Sequence, residues 1–168
     1  SEEAVKVALA EAERRVQAIA TVHAALSQNV DESVDFDEVA RTIVRMAGAI
    51  ASTDHAVEVI TTGSFGTIQA DQAQALATVL NELVANSVEH GLADRDGLIE
   101  VRAERQGSSM TVTVADNGVG FVPGTPMSGL GTQIVHQMVR GELKGSIEWA
   151  PREGGGTLVT LHANLDPA

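Results

Sequence analysis

Residues 2 to 28 contain neither glycine nor proline and read as one long helix. Within it Val5, Leu9, Ala12, Val16, Ile19, His23 and Leu26 recur in alternating steps of four and three. That is a heptad seam lasting about three heptads. A stripe so narrow predicts packing against another helix, whereas an amphipathic helix lying on its own domain is the competing reading. The stripe is flanked by Lys6, Glu13, Arg14 and Arg15, which favours the bundle.

At 168 residues the chain has room for one domain, or one domain and an appended segment, and can bury a core without staples. One Trp, three Phe and no Tyr make that core aliphatic and leave little for stacking on nucleic-acid bases. The net charge of −12 argues against direct nucleic-acid binding and against anionic membranes. No apolar run approaches the roughly 18 residues of a membrane span, and no secretory leader opens the chain. The absence of cysteine excludes disulfides and thiolate metal sites and fits a cytoplasmic location. An anionic ligand bound to so acidic a chain needs backbone N–H groups, helix ends or a metal ion.

Gln28 to Asp35 reads as an acidic linker, with Asp35 as an N-cap and Glu38 as its capping-box partner. The helix that follows carries Phe36, Val39, Ile43, Met46 and Ile50 on its apolar side. Ala56 to Thr62 reads as a strand ending in the turn Gly63-Ser64. Asp71 is placed as the cap of a helix running to about His90, striped by Leu76, Val79, Leu80, Leu83, Val84 and Val88, with Gly91 as its C-terminal cap. Leu98–Glu104 and Met110–Ala115 form a hairpin pattern, Asn117 to Gly129 a glycine- and proline-rich loop, and Leu130–Val139 a short helix. Ser146–Ala150 and Thr157–Ala163 close the chain as a strand pair. The order predicts an α+β two-layer sandwich: a mixed sheet with helices on one face, preceded by one long N-terminal helix.

Three segments carry chemistry. In Asn81-Glu82-Leu83-Val84-Ala85-Asn86-Ser87-Val88-Glu89-His90-Gly91, the side chains of Glu82, Asn86 and His90 share one helix face, opposite the apolar stripe. Asn86 offers a carbonyl oxygen, a hard ligand suited to a Mg²⁺ that also holds phosphates. Glu82 is placed to orient or deprotonate a nucleophile; a solvated polar face is the alternative. In Asp116-Asn117-Gly118-Val119-Gly120, a carboxylate at a strand end can accept from an exocyclic amine, and the glycines admit a flat ring. A plain turn competes with that reading. In Ser128-Gly129-Leu130-Gly131-Thr132, uncrowded amides at a helix start suit a phosphate.

The three together, Glu-x-x-x-Asn, Asp-x-Gly-x-Gly and Gly-x-Gly, resemble the asparagine box and the two glycine boxes of the GHKL ATPase superfamily, over roughly residues 35 to 163. The resemblance implies the Bergerat fold and ATP as ligand. It implies that Asn86 holds Mg²⁺ and that Asp116 binds the adenine amine. It makes Gly118 and Gly120 the adenine-side hinge of a lid, sets Gly129, Leu130 and Gly131 at the phosphates, and has Thr157 support the adenine. His90 either caps its helix or lies near the phosphates.

Arg14 to Ser27 resembles the second dimerisation helix of the HisKA_2 and HWE type of histidine kinase, and within it the cytosolic actinobacterial kinases. That resemblance implies residues 1–28 as a dimerisation helix and 35–165 as the catalytic domain. It further implies a homodimer in the intact protein and transfer of phosphate to a response regulator of the RNA-binding antiterminator type. Three features depart from the pattern. No acceptor motif of the His-Arg-x-Lys-Asn-Asn kind is present, so the phosphoacceptor histidine is expected upstream and this chain is expected not to phosphorylate itself. Glu89 stands where many such kinases have lysine. The lid from Phe121 to Ser128 is short, with no phenylalanine-box motif. His23 lies on the seam and reads as a packing residue before a substitute acceptor. His55, His136 and His162 are scattered, and Lys144 and Arg140 read as solvated charge or as phosphate contacts. An anti-sigma-factor serine kinase, or a non-catalytic module gated by ATP, are the rival functions.

Overall fold

The structure, a computed structural model, describes residues 1–27, 32–52, 54–93, 95–120 and 129–167. The helices are α1 (Glu2–Leu26), α2 (Phe36–Ala51), α3 (Ala70–Asn86) and α4 (Leu130–Gly141). The strands are β1 (Ser33–Asp35), β2 (Val57–Gly63), β3 (Thr67–Gln69), β4 (Gly97–Gln106), β5 (Ser109–Asp116), β6 (Ser146–Pro151) and β7 (Thr157–Asn164). Five strands form one sheet in the order β2-β4-β5-β7-β6, in which β2 runs parallel to β4 and the other pairings are antiparallel. Register pairs Val101 with Val114 and Val112 with Leu161, so inward side chains stack across strands.

Alternation sets the two layers. On β4 the side chains of Ile99, Val101 and Ala103 are buried while Glu100, Arg102 and Glu104 face solvent. Met110, Val112 and Val114 of β5, with Val159, Leu161 and Ala163 of β7, extend the buried face. Against it lie the α3 stripe Leu76, Val79, Leu80, Leu83, Val84 and Val88, and Ile43 and Val44 of α2. This is the expected two-layer sandwich with a mixed sheet and helices on one face. The Phe36 and Phe65 rings meet edge-on at 5.2 Å and close one end of the aliphatic core.

Several local expectations differ. The expected acidic linker ends in β1, which pairs antiparallel with β3; its residues 28–31 lie outside the described residues. Asp35 does precede α2 but makes no side-chain capping bond, so the capping box with Glu38 does not form. Asp37 instead accepts from Phe65 N at 2.6 Å and Ser64 Oγ at 3.0 Å, tying α2 to the turn after β2. Gln69, not Asp71, occupies the cap of α3, and Asp71 lies in the first turn, where its charge favours the helix dipole.

The heptad seam turns away from the domain over most of its length, and only its last residue, Leu26, packs against the core. Val5, Leu9, Val16 and Ile19 are more than half exposed. α1 instead lies on α2 and α3 through Arg14, Arg15, Ala18, Thr21, Val22 and Ala25. Arg14 and Arg15, read as seam flanks, therefore point inward. No helix among the described residues is long and apolar enough to cross a membrane.

Candidate nucleotide site

The backbone of the site is α3 and its continuation. After Asn86 the helix widens into a π turn, Ser87–Gly91, closed by Leu92 N donating to Ser87 O at 2.7 Å. His90 is exposed on this turn. Gly91 is not the left-handed cap expected for the helix end. Its reason is proximity: a Cβ there would run into Asp116 Oδ2, and a Cβ on Gly118 would run into the Gly91 carbonyl. Val119 N donates to that same carbonyl at 2.7 Å. A Gly91→Ala substitution is expected to displace the Asp116 carboxylate, destabilise the fold by about 1–3 kcal/mol and weaken adenine binding in parallel. Paired denaturant and nucleotide titrations would check this; a variant with wild-type adenine affinity would contradict it.

Asp116 ends β5 with 2% of its surface exposed. Its Oδ1 accepts from the Gly118 amide at 3.0 Å and the Thr157 amide at 3.3 Å. Burial raises its pKa above the ordinary carboxylate value, and the two amides and the charge of Arg152 partly offset that. Gly156 packs its Cα against the Asp116 carbonyl, and Gly120 (φ 74°) backs onto Gly156. The carboxylate thus stands among Gly91, Gly118 and Gly156, a surface that a planar ring can approach. Thr157 is buried beside it and reaches Asp116 through its backbone amide.

Glu82 lies at the other end of the rail, its side chain 4% exposed. Its carboxylate oxygen meets the space beside Gly131, the second residue of α4, where a Cβ would collide with it. Gly129 caps α4 with no side chain, at φ 117°, so no side-chain oxygen consumes the first-turn amides. Leu130 opens the helix and Ser128 lies outside the described residues. Glu82 is not free: Arg14 Nη2 donates to its Oε2 at 3.3 Å and Arg15 Nε stands 3.6 Å from Oε1. Neither arginine belongs to the asparagine box or the two glycine boxes. Arg14 also pairs with Glu89 at 3.4 Å.

Asn86 lies between the two ends, four residues from Glu82 and five from Gly91. The nine residue steps from Glu82 to Gly91 span roughly 13 Å at the helical rise, which is the scale of a mononucleotide. The Asn86 Nδ2 is buried without a hydrogen-bond partner among the described residues. A carboxamide exchanges its ends by rotation about χ2, so this side chain can present its oxygen to a cation or its nitrogen to a phosphate oxygen. No group of three His, Cys, Asp or Glu that could cage a metal occurs among the described residues. One unspent side chain fits Mg²⁺ in the manner of an ion held chiefly by substrate phosphates and water.

Other candidates fall away. Lys144 is engaged by Asp166 at 2.8 Å, away from α4's start, and Arg140 is exposed in the last turn of α4. His136 packs on Trp149, His162 meets Thr111, and His55 stands 3.8 Å from Asp96. The expected lid, Phe121 to Ser128, lies outside the described residues. Among the described residues a cleft of about 420 Å³ lies between α1 and α2, lined by Thr21, Asp35, Glu38 and Met46 rather than by Asn86, Asp116 or Gly131.

The fold is a mixed sheet backed by helices, with Asn86 on a helix, Asp116 at a strand end and Gly131 at a helix start. The chain belongs to the histidine kinase-, DNA gyrase B- and HSP90-like ATPase family, whose model matches residues 71–167, and residues 1–50 match a histidine kinase model. It is 40% identical to the sensor histidine kinase PdtaS of Mycobacterium tuberculosis over 159 residues, 92% of this chain and 32% of that protein. The chain thus spans about a third of the curated relatives it matches. A shorter stretch of 51 residues, 30% of this chain, is 32% identical to an anti-sigma F factor of Clostridium kluyveri. Among solved structures, the histidine kinase domain of the Erythrobacter litoralis EL346 blue-light activated histidine kinase shares the fold. Its TM-score is 0.71 at 24% identity, over 91% of this chain and 74% of that one.

Proposed function

We propose that this chain is the ATP-binding catalytic part of a two-component sensor histidine kinase of the PdtaS type, with residues 1–28 as the second dimerisation helix and 35–165 as the catalytic domain. The observation that carries the reading is the rail from Glu82, beside Gly131, through Asn86 to Gly91, against Asp116. In this reading Asp116 accepts from the adenine amine in a glycine-walled recess with Thr157 behind it, and Gly118 and Gly120 flank the ring. The first-turn amides of α4, at Gly129, Leu130 and Gly131, receive phosphate oxygens. Asn86 would hold Mg²⁺, which would neutralise phosphate charge; His90 is exposed on the π turn beside Gly91.

The reaction is transfer of the γ-phosphoryl group to a histidine outside this chain. A bond forms from an imidazole nitrogen to the γ-phosphorus, the bond to the β,γ-bridging oxygen breaks, and ADP leaves. Glu82 takes the proton lost from the imidazole. The protein's contribution is positioning and charge. The exposed seam of α1 suits a homodimer in the intact protein, and the phosphohistidine would pass its group to a cytoplasmic response regulator of the antiterminator type. The helix and a kinase relative covering 92% of the chain, against 30% for the anti-sigma factor, favour this over an anti-sigma serine kinase.

Two measurements test it. Mg-ATP titrated into the chain is expected to bind one to one, and chelating the metal is expected to weaken binding at least tenfold. An added histidine-bearing acceptor helix is expected to take label from γ-labelled ATP. A folded chain that shows no Mg-ATP binding by calorimetry overturns the nucleotide reading. Binding without transfer to any acceptor supports the ATP-gated regulatory module instead.

A further inference from the structure

We infer that Arg14 and Arg15 of α1 are γ-phosphate contacts of this site, with Glu82 holding their guanidinium groups until a nucleoside triphosphate arrives. The inference rests on the nucleotide reading above and assigns the phosphate end its cations. Arg15 Nη2 lies 2.8 Å from where a Cβ on Gly131 would stand, so this guanidinium touches the glycine at the start of α4. Glu82 meets the same point, which puts a carboxylate at a helix N-terminus flanked by arginines, the surroundings a phosphate would have.

The two arginines are poorly satisfied as they stand. Their side chains are only 11% and 18% exposed. Arg14 makes one hydrogen bond to Glu82, at 3.3 Å, and its remaining ion-pair contact to Glu89 is 3.4 Å. Arg14 Nε and Arg15 Nε are buried with only long ion-pair contacts, 3.4 Å to Glu89 and 3.6 Å to Glu82, and Arg14 Nη1 is buried with no hydrogen-bond partner among the described residues. Buried guanidinium donors so weakly satisfied are costly unless a ligand uses them. A terminal phosphate, with three oxygens, suits paired forks far better than one carboxylate shared at a distance.

Charge accounting points the same way. A chain of net charge −12 must find local cations for a triphosphate. Arg102 is paired with Glu104, Lys144 with Asp166, and Arg105 with the carbonyls of Phe65, Thr67 and Gly107. Glu89 adds a negative charge to the turn beside Asn86, and Arg14 Nε stands 3.4 Å from it. The arginines arrive from a helix outside the sheet-and-helix sandwich, so the γ-phosphate would also fix how α1 sits on α3.

The test is the preference for ATP over ADP, measured by calorimetry with Mg²⁺ in the 168-residue chain. Arg15→Gln, and Arg14→Gln with it, are expected to weaken ATP tenfold or more while ADP changes less than threefold. Equal losses for both nucleotides, or none, overturn the inference while leaving the nucleotide site standing. Should the double variant fail to fold, Glu82→Gln decides: freeing the guanidiniums from their carboxylate is expected to tighten ATP threefold or more without affecting ADP. An equal loss of both in Glu82→Gln would make the cluster a structural strut. A wild-type chain that binds neither nucleotide removes the site and the inference together.

Discussion

Asn86→Ala is expected to weaken Mg-ATP about a hundredfold, close to 2.7 kcal/mol, while the chain stays folded and its thermal midpoint scarcely moves. The two halves of that expectation have one cause. The Asn86 amide nitrogen is buried and makes no hydrogen bond among the described residues, so the folded protein gains nothing from it and carries the cost of its desolvation. Removing it should leave stability level or slightly higher. The ligand, by contrast, loses a side chain that lies along the helix between Glu82, which meets Gly131, and Gly91, which meets Asp116. Calorimetry with and without Mg²⁺, run beside a thermal melt by circular dichroism, separates the outcomes. Unchanged Mg-ATP affinity in the folded variant would remove Asn86 from the site. A collapse of the fold would mean that the amide serves the core instead.

What the sequence made legible was set by periodicity. The α3 stripe from Leu76 to Val88 repeats with the helical period over three turns, and β4 and β5 alternate around Gly107 (φ 61°). Both were readable to within a few residues. β1 and β3 were not, because three residues give no alternation to read, and Val34 is the single buried position of its strand. Gly91 was misread because a glycine after a helix stripe is ordinarily a cap, whereas here its partner is a carboxylate 25 residues onward. Arg14 and Arg15 were hidden for a related reason. A charged pair beside an apolar seam reads as solvated unless its counter-charge is known, and Glu82 lies 68 residues from Arg14. That most of the seam faces outward, while its flank lies on the domain, depends on that distant carboxylate. The motif residues were legible because their order and spacing resemble a family; the contacts among them were not.

Asp116→Asn is expected to weaken ATP and ADP by tens of fold, with inorganic triphosphate little affected, and to leave the fold as stable as the wild type or more so. The substitution keeps the shape and keeps an oxygen for the Gly118 and Thr157 amides. It replaces the other oxygen, the one against Gly91, with a donor. A donor facing the adenine amine loses a charge-assisted bond of about 1.5–3 kcal/mol. Inosine triphosphate, which has a carbonyl in place of that amine, should lose far less, so the preference for ATP over its inosine analogue narrows. The stability half follows from the raised pKa. Burial lifts the folded carboxyl above its ordinary value of 3.8, so between the two values the folded state holds a proton the unfolded state has released. Stability therefore falls as pH rises through that window, and the deficit persists at neutral pH. The asparagine variant has no such proton to lose, so its stability relative to wild type should climb across the window and then level off. Denaturant titrations of both proteins from pH 3 to pH 8, together with nucleotide titrations at neutral pH, check the two halves separately. A variant that loses stability at neutral pH but keeps its nucleotide preference would make Asp116 a structural carboxylate, held by Gly118 and Thr157 for the sake of the loop rather than for a ligand.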